Sequence, residues 1–162
     1  MTRPTDGGDE VGVLVVHVGD VRCGFVLDEV VEVLPALATT ALPGAPETVS
    51  GVIDLRGALV PVLDLRRRLG LPTRPPDCED HVVVCDVRPR RVGIWVDRAE
   101  DVVTVASRDL VPVDDVAQAK YLPGVTRRDD GLMLVYDVRS FLAADEALRL
   151  DSAVTSAESR RA

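Results

Sequence analysis

Short, valine-rich apolar runs separated by turn residues dominate the chain. The most informative run is Gly51–Pro72, which predicts a strand, a turn at Arg56-Gly57, a second strand and a short helix. Glycine accepts a positive φ in such a turn, and Asp64 is a suitable N-cap for the helix. Pro61 interrupts the second strand. Because proline cannot donate to a ladder, we expect it at a sheet edge or a bulge.

Similar patterns predict many more strands and few helices. Many short strands with no long helical period between them favour small barrels over a βαβ sheet. We expect residues 1–10 to be a flexible leader and residues 151–162 a flexible tail. The predicted strands are Val11–Val18, Val21–Leu27, Val82–Val87, Val92–Val96, Val102–Ala106 and a last hairpin within Gly124–Val138, and the predicted helices run from Asp114 or Asp115 to Lys120 and over Phe141–Leu150.

Two pairs of segments recur in the same order, which indicates a duplicated unit of roughly 70 residues. Chance similarity is the alternative in a chain rich in Val, Leu, Asp and Gly, but the shared order and spacing make it the weaker explanation. The units would be two barrels covering about residues 11–72 and 81–142, with their strands kept separate or exchanged. The matches are Gly51-Val52 with Gly124-Val125, Gly57 with Gly131, Asp64-Leu65-Arg66 with Asp137-Val138-Arg139, Gly24-Phe25-Val26-Leu27-Asp28 with Gly93-Ile94-Trp95-Val96-Asp97, and Glu32-Val33 with Asp101-Val102.

Composition narrows the classes of function. The chain is 46% hydrophobic but only 3% aromatic, and its net charge is −8. An acidic chain poor in aromatic residues is unsuited to phosphate backbones, base stacking or anionic membranes. We find no apolar run of transmembrane length and no signal-peptide pattern, and the three cysteines fit a reducing compartment.

Enzymatic chemistry has weak support in the sequence. Cys78, His81 and Cys85 have a ligand-like spacing, but no fourth ligand is evident, so we expect no metal. No phosphate-binding glycine motif or nucleophile elbow occurs. We expect no catalytic residue and no cofactor. A β-barrel enzyme and a barrel that binds RNA or a small ligand remain as alternatives.

The chain resembles the CheW family of chemotaxis coupling proteins from about Val11 to Leu150. The resemblance is carried by residues 51–57, 60–66 and 92–97. It implies a mainly β fold of two SH3-like five-stranded β-barrel subdomains with short helices and a C-terminal helix, which together form one domain over residues 11–150. It also implies a non-enzymatic scaffold adaptor in the cytoplasm, recruited to membrane receptor arrays.

The partners implied by the resemblance are the cytoplasmic tip of a chemoreceptor, a methyl-accepting chemotaxis protein, and the regulatory domain of the histidine autokinase CheA. The receptor tip is a helical hairpin that would lie in an apolar groove between the barrels. Arg56 would bind receptor carboxylates or carbonyls, although it could instead pair with Asp54 or Glu32 and only stabilise its turn. The groove residues implied are Val30, Glu32, Val33, Arg56 and Val102.

Overall fold

The computed structural model describes residues 10–35, 38–87, 90–111, 124–129, 131–138 and 144–161. The predicted leader apart from Glu10, and the predicted helix ending at Lys120, lie outside the described residues. The described strands are β1 (Glu10–Val18), β2 (Val21–Val26), β3 (Val30–Pro35), β4 (Val49–Leu55), β5 (Ala58–Asp64), β6 (His81–Val87), β7 (Arg90–Val96), β8 (Arg98–Ala106), β9 (Gly124–Arg128) and β10 (Gly131–Tyr136), and the helices are α1 (Leu65–Arg68) and α2 (Ala144–Arg161).

The strands form two five-stranded sheets, which we call sheet A (order β8-β1-β2-β10-β9) and sheet B (order β3-β6-β7-β5-β4). Each order becomes the other when every strand is replaced by its counterpart in the other half of the chain. Each sheet contains one parallel pair, β2 with β10 and β5 with β7, at the same place in its order. The sheets therefore share a pseudo-twofold relation, and each combines strands from both repeats. The predicted fold class is confirmed.

One of the predicted repeat matches is wrong by a single position. In the β4–β5 hairpin Leu55 pairs with Ala58, and in the β9–β10 hairpin Arg128 pairs with Gly131. Gly131 is thus the counterpart of Ala58 and not of Gly57. A register slip of one residue would turn every buried side chain to the opposite face of the sheet. The buried residues of the two hairpins, and not the glycines of their turns, therefore determine which positions of the two repeats match.

Alternate side chains of the central strands point into different cores. On β1, Val16 faces a core shared by the two sheets, whereas Val15 faces a core within sheet A. Apolar residues on both faces explain why these strands lack a simple apolar-polar alternation. The shared core includes Leu14, Val16, Val18, Cys23, Phe25, Leu63, Val83, Cys85, Val92, Ile94 and Val96. The separate cores are Val13, Val15, Val105, Met133 and Val135 in sheet A, and Ile53, Val60, Val62, Val82 and Val84 in sheet B.

Helix α2 covers one end of the shared core and continues through the segment for which we predicted a flexible tail. Its Leu150, Ala153 and Val154 are buried and belong to the shared core. Asp151 also accepts a hydrogen bond from Arg90 Nε of β7 at 2.8 Å. Tertiary packing stabilises helices that are weak in isolation. The prediction failed because the Asp, Ser, Val and Thr residues of this segment have low intrinsic helix propensity, and its burial against the shared core is not visible in the local sequence.

Pro61 also differs from its prediction, because it lies in β5, between β4 and β7 in the interior of sheet B. The bulge between β4 and β5 lies between Val49 and Gly51, away from this proline. The parallel ladder from β5 to β7 begins at Val62. The missing N–H of Pro61 therefore falls outside that ladder, which explains how an interior strand accommodates a proline.

Candidate functional site

The apolar residues predicted for the groove lie on edge strands of the two sheets. Val33 is on β3, at the edge of sheet B, and Val102 is on β8, at the edge of sheet A. Their side chains are 39% and 50% exposed. The two strands are counterparts under the pseudo-twofold relation, so the repeats present an exposed valine at matching positions. Exposed aliphatic side chains on edge strands are suited to contact with another protein.

The structure gives Val30 a different place from the other predicted apolar residues. Val30 is half-buried and packs against the shared core. The register with β6 shifts between Val30 and Glu32, and Val31 is 40% exposed, on the same side as Val33. The sequence analysis missed Val31. The sequence offers no signal that separates Val31 from Val30, because both are valines in one apolar run and the register with β6 shifts at this point.

Glu32 and Arg56 are brought together by the curl of sheet B. Arg56 Nη2 donates to Glu32 Oε2 in an ion pair. Glu32 is on β3 and Arg56 is in the β4–β5 turn, at opposite edges of the strand order, so the pair bridges the two edges of one curled sheet. Asp54 instead accepts a hydrogen bond from Gly57 N at 2.8 Å. The Arg56 side chain remains 67% exposed, which leaves it accessible to a partner.

Arg56 is held in a backbone conformation that suits other residues better. Its φ is +52°, and that of the following Gly57 is +89°. A two-residue hairpin turn with both φ angles positive favours Asn, Asp or Gly at its first position. Arginine there costs about 1–2 kcal/mol of backbone strain. Strained residues occur frequently at functional sites, which makes Arg56 a candidate contact residue on structural grounds.

Replacing Arg56 tests whether its left-handed conformation strains the turn. We expect Arg56→Asn to be about 1 kcal/mol more stable than Arg56→Ala, because asparagine tolerates the left-handed conformation and both variants lose the Glu32 ion pair. Urea unfolding of the two variants measures this difference. Equal stability of the two variants would contradict the strained turn.

A second exposed apolar surface lies at the far edge of sheet A. A cleft of about 720 Å³ is lined by residues of the turn after β8 and of the β9–β10 hairpin. Two of its residues, Val111 and Leu132, are 61% and 64% exposed. Arg108, Arg127 and Asp129 also line the cleft. The sequence analysis assigned no role to this surface, because the sequence does not show which apolar residues of a strand remain uncovered.

The three residues with a ligand-like spacing are in different environments. Cys78 is exposed, whereas Cys85 is buried in the shared core, where desolvation raises the pKa of its thiol to about 12. His81 Nδ1 accepts a hydrogen bond from Ala99 N at 3.2 Å. In the part of the chain that the structure describes, no three His, Cys, Asp or Glu side chains are grouped as metal ligands would be.

No helix among the described residues has the length and apolar character needed to cross a membrane.

Comparison with known proteins agrees with this architecture. Over 145 residues the chain is 32% identical to the chemotaxis protein CheW of Rhizobium meliloti, which covers 88% of this chain and 92% of that protein. It is 27% identical over 155 residues to the chemotaxis protein CheW of Klebsiella aerogenes, and this match covers 94% of this chain and 86% of that protein.

Among solved structures, the scaffolding protein TtCheW of Thermoanaerobacter tengcongensis superposes with a TM-score of 0.77 at 20% identity. The match covers 90% of this chain and 96% of that one and shows that the fold is the same. The family model described as a CheW-like domain matches residues 12–146. The chain therefore belongs to the CheW-like domain family.

Proposed function

We propose that this protein is a non-enzymatic adaptor in chemotaxis signal transduction, which couples chemoreceptors to the histidine autokinase CheA. The observation that carries the proposal is the matched pair of exposed valines, Val33 and Val102, on edge strands β3 and β8 of the two sheets. Membership of the CheW-like family supports it. The adaptor would work in the cytoplasm, at arrays of membrane receptors.

The receptor contact would use the surface between the β3 and β8 edges. The cytoplasmic tip of a receptor is a helical hairpin, and an amphipathic helix binds by laying its apolar face along such a surface. Val31, Val33 and Val102 would meet that face. Arg56 would donate to carboxylates or carbonyls of the receptor, and its pairing with Glu32 would hold the guanidinium in place until the receptor binds.

The kinase contact would use the far edge of sheet A. Val111 and Leu132 expose apolar surface beside Arg127 and Asp129. Apolar side chains beside mixed charges are typical of a protein interface with a polar rim. The regulatory domain of CheA, which has a related fold, would pack there, away from β3, and the adaptor could then bind both partners at once.

Direct binding measurements test this proposal. We expect the purified protein to bind a receptor signalling hairpin and the isolated CheA regulatory domain, each with micromolar affinity or better, and to bind both together. Calorimetry with each partner, then with the second partner added to the first complex, measures this. An RNA oligomer serves as the negative control. Absence of binding to both proteins would overturn the proposal and favour the alternative of an enzyme or a ligand-binding barrel.

A further inference from the structure

The chain passes from sheet B to sheet A at a single residue, Asp97, between the end of β7 and the start of β8. Its backbone N–H donates to the carbonyl oxygen of His17 on β1 at 2.9 Å. Its carboxylate accepts from Gly19 N at 2.7 Å and from Arg66 Nη2 at 2.6 Å. It also accepts from Arg74 Nη2 at 2.8 Å. The crossover is thus bound to the β1–β2 turn, to α1 and to the segment between the repeats.

Arg74 joins this carboxylate to a second one. Its Nη1 and Nη2 donate to the two oxygens of Asp80 at 3.0 and 2.6 Å. Asp80 is only 2% exposed and also accepts from Trp95 Nε1 at 2.9 Å. Two guanidinium groups therefore balance two carboxylates within the cluster. We call Arg66, Arg74, Asp80 and Asp97 the crossover clasp.

The charges within the clasp favour its ionised form. Burial by itself would raise the pKa of Asp97, but the hydrogen bonds from Arg66 and Gly19 and the nearby positive charges lower it. The pKa of Asp80 is lowered in the same way, by Arg74 together with Asp77 N and Trp95. Bidentate pairs between arginine and carboxylate also fix geometry, because the planar fork allows few orientations.

The clasp is adjacent to His81, which is linked to both candidate receptor-binding edges. Asp80 directly precedes His81, which pairs with Pro35 at the end of β3. The His81 ring accepts from Ala99 N near the start of β8. A shift of the clasp would therefore be transmitted to β3 and β8 together.

The other crossover, between β2 and β3, has a different construction. The counterpart of Asp97 there is Asp28, which lies in a 3-10 turn and is exposed. Buried Glu29 accepts from Val138 N at 3.1 Å in that turn. Among the residues that the structure describes, Asp28 makes no hydrogen bond or ion pair with an arginine, so Asp28 is a suitable control position for Asp97.

We propose that the crossover clasp is a positioning site, which sets the separation of the β3 and β8 edges and thereby the affinity for a helical partner. This inference rests on the proposed function for its binding consequence, but its geometric part is independent of it. Asp97 is the central positioning residue, since its carboxylate contacts both arginines.

The test compares Asp97→Asn with the matched control Asp28→Asn. Asparagine keeps the shape of the side chain and removes its charge. Spin labels at Val31→Cys and Thr104→Cys, in a Cys78→Ser background, report the separation of β3 and β8 without any partner. The fluorescence of Trp95, the single tryptophan, reports the local state of the clasp. Calorimetry with the receptor hairpin on unlabelled protein reports affinity.

We expect Asp97→Asn to remain folded, to broaden or shift the distance distribution, and to weaken hairpin binding about fivefold or more, whereas Asp28→Asn changes neither. An unchanged distance in Asp97→Asn would overturn the inference, whether or not affinity falls. If that variant does not fold, Arg74→Gln, at a side chain 30% exposed, takes its place with the same expectations. A shifted distance in a protein that never binds the hairpin would support the clasp and refute the proposed function.

Discussion

Placing aspartate at both Val33 and Val102 is expected to weaken binding of a receptor hairpin by about 100-fold or more while the protein remains folded. Both side chains are substantially exposed in the unbound protein, at 39% and 50%, so the charges stay hydrated there. In the complex, the apolar face of the receptor helix would cover them, and burial of an unpaired carboxylate is strongly unfavourable. Calorimetric titration together with urea unfolding measures both effects.

Thr104→Asp is the matched control for that variant. Thr104 is exposed on the same strand and lies two residues from Val102, but it presents no comparable apolar surface. We expect it to change affinity less than either valine substitution alone. Each single valine variant should give a substantial part of the loss, since the pseudo-twofold relation gives the two residues equivalent positions. A double variant that binds the hairpin normally would show that the receptor binds elsewhere.

Val154→Asp is expected to unfold the protein or to lower its free energy of unfolding by about 3–5 kcal/mol. Val154 is a residue of α2 and is fully buried, at 0% exposure, in the shared core. A carboxylate there would lose its hydration with no cation provided by the surrounding valines and leucines. The helix would leave the core, and the ends of both sheets would become exposed to solvent. Urea unfolding followed by circular dichroism gives the size of the loss.

The control lies one residue further along the helix. Thr155 is exposed, so Thr155→Asp should change stability by no more than about 0.5 kcal/mol. Both substitutions introduce the same charge into the same helix, and the difference between them isolates burial from helix propensity. Equal, small effects would mean that the segment beyond residue 150 is the flexible tail that its sequence suggests.

Arg56 shows how a local pattern can predict a position but not its partner. The Arg56-Gly57 turn follows from two flanking apolar runs and a glycine, and the structure has it at that place. The choice between Asp54 and Glu32 as its ion-pair partner was open in the sequence. The curl of sheet B decided it, because that curl brings the β3 edge to the β4–β5 turn. Contacts between distant strands depend on sheet closure, which local pattern does not encode.

Val30 and Val31 make a similar contrast. The sequence placed an apolar run at the edge that follows β2, but a one-residue shift in the register with β6 turned Val31 outward and Val30 toward the shared core. Side chains on a strand alternate between faces, so a bulge of one residue exchanges exposed and buried positions. The residues of the proposed groove were therefore predictable as a segment, whereas their individual orientation was not.

The sequence by itself determined the mainly β class, most strand positions and the internal duplication, because these depend on local apolar patterns, turn residues and repeated segments. Only the tertiary structure decided which strands combine into each sheet, that α2 continues to Arg161, and that Asp97 meets two arginines at the crossover. Those features arise from contacts between residues far apart in the chain, where burial and charge pairing, and not local preference, set the free energy.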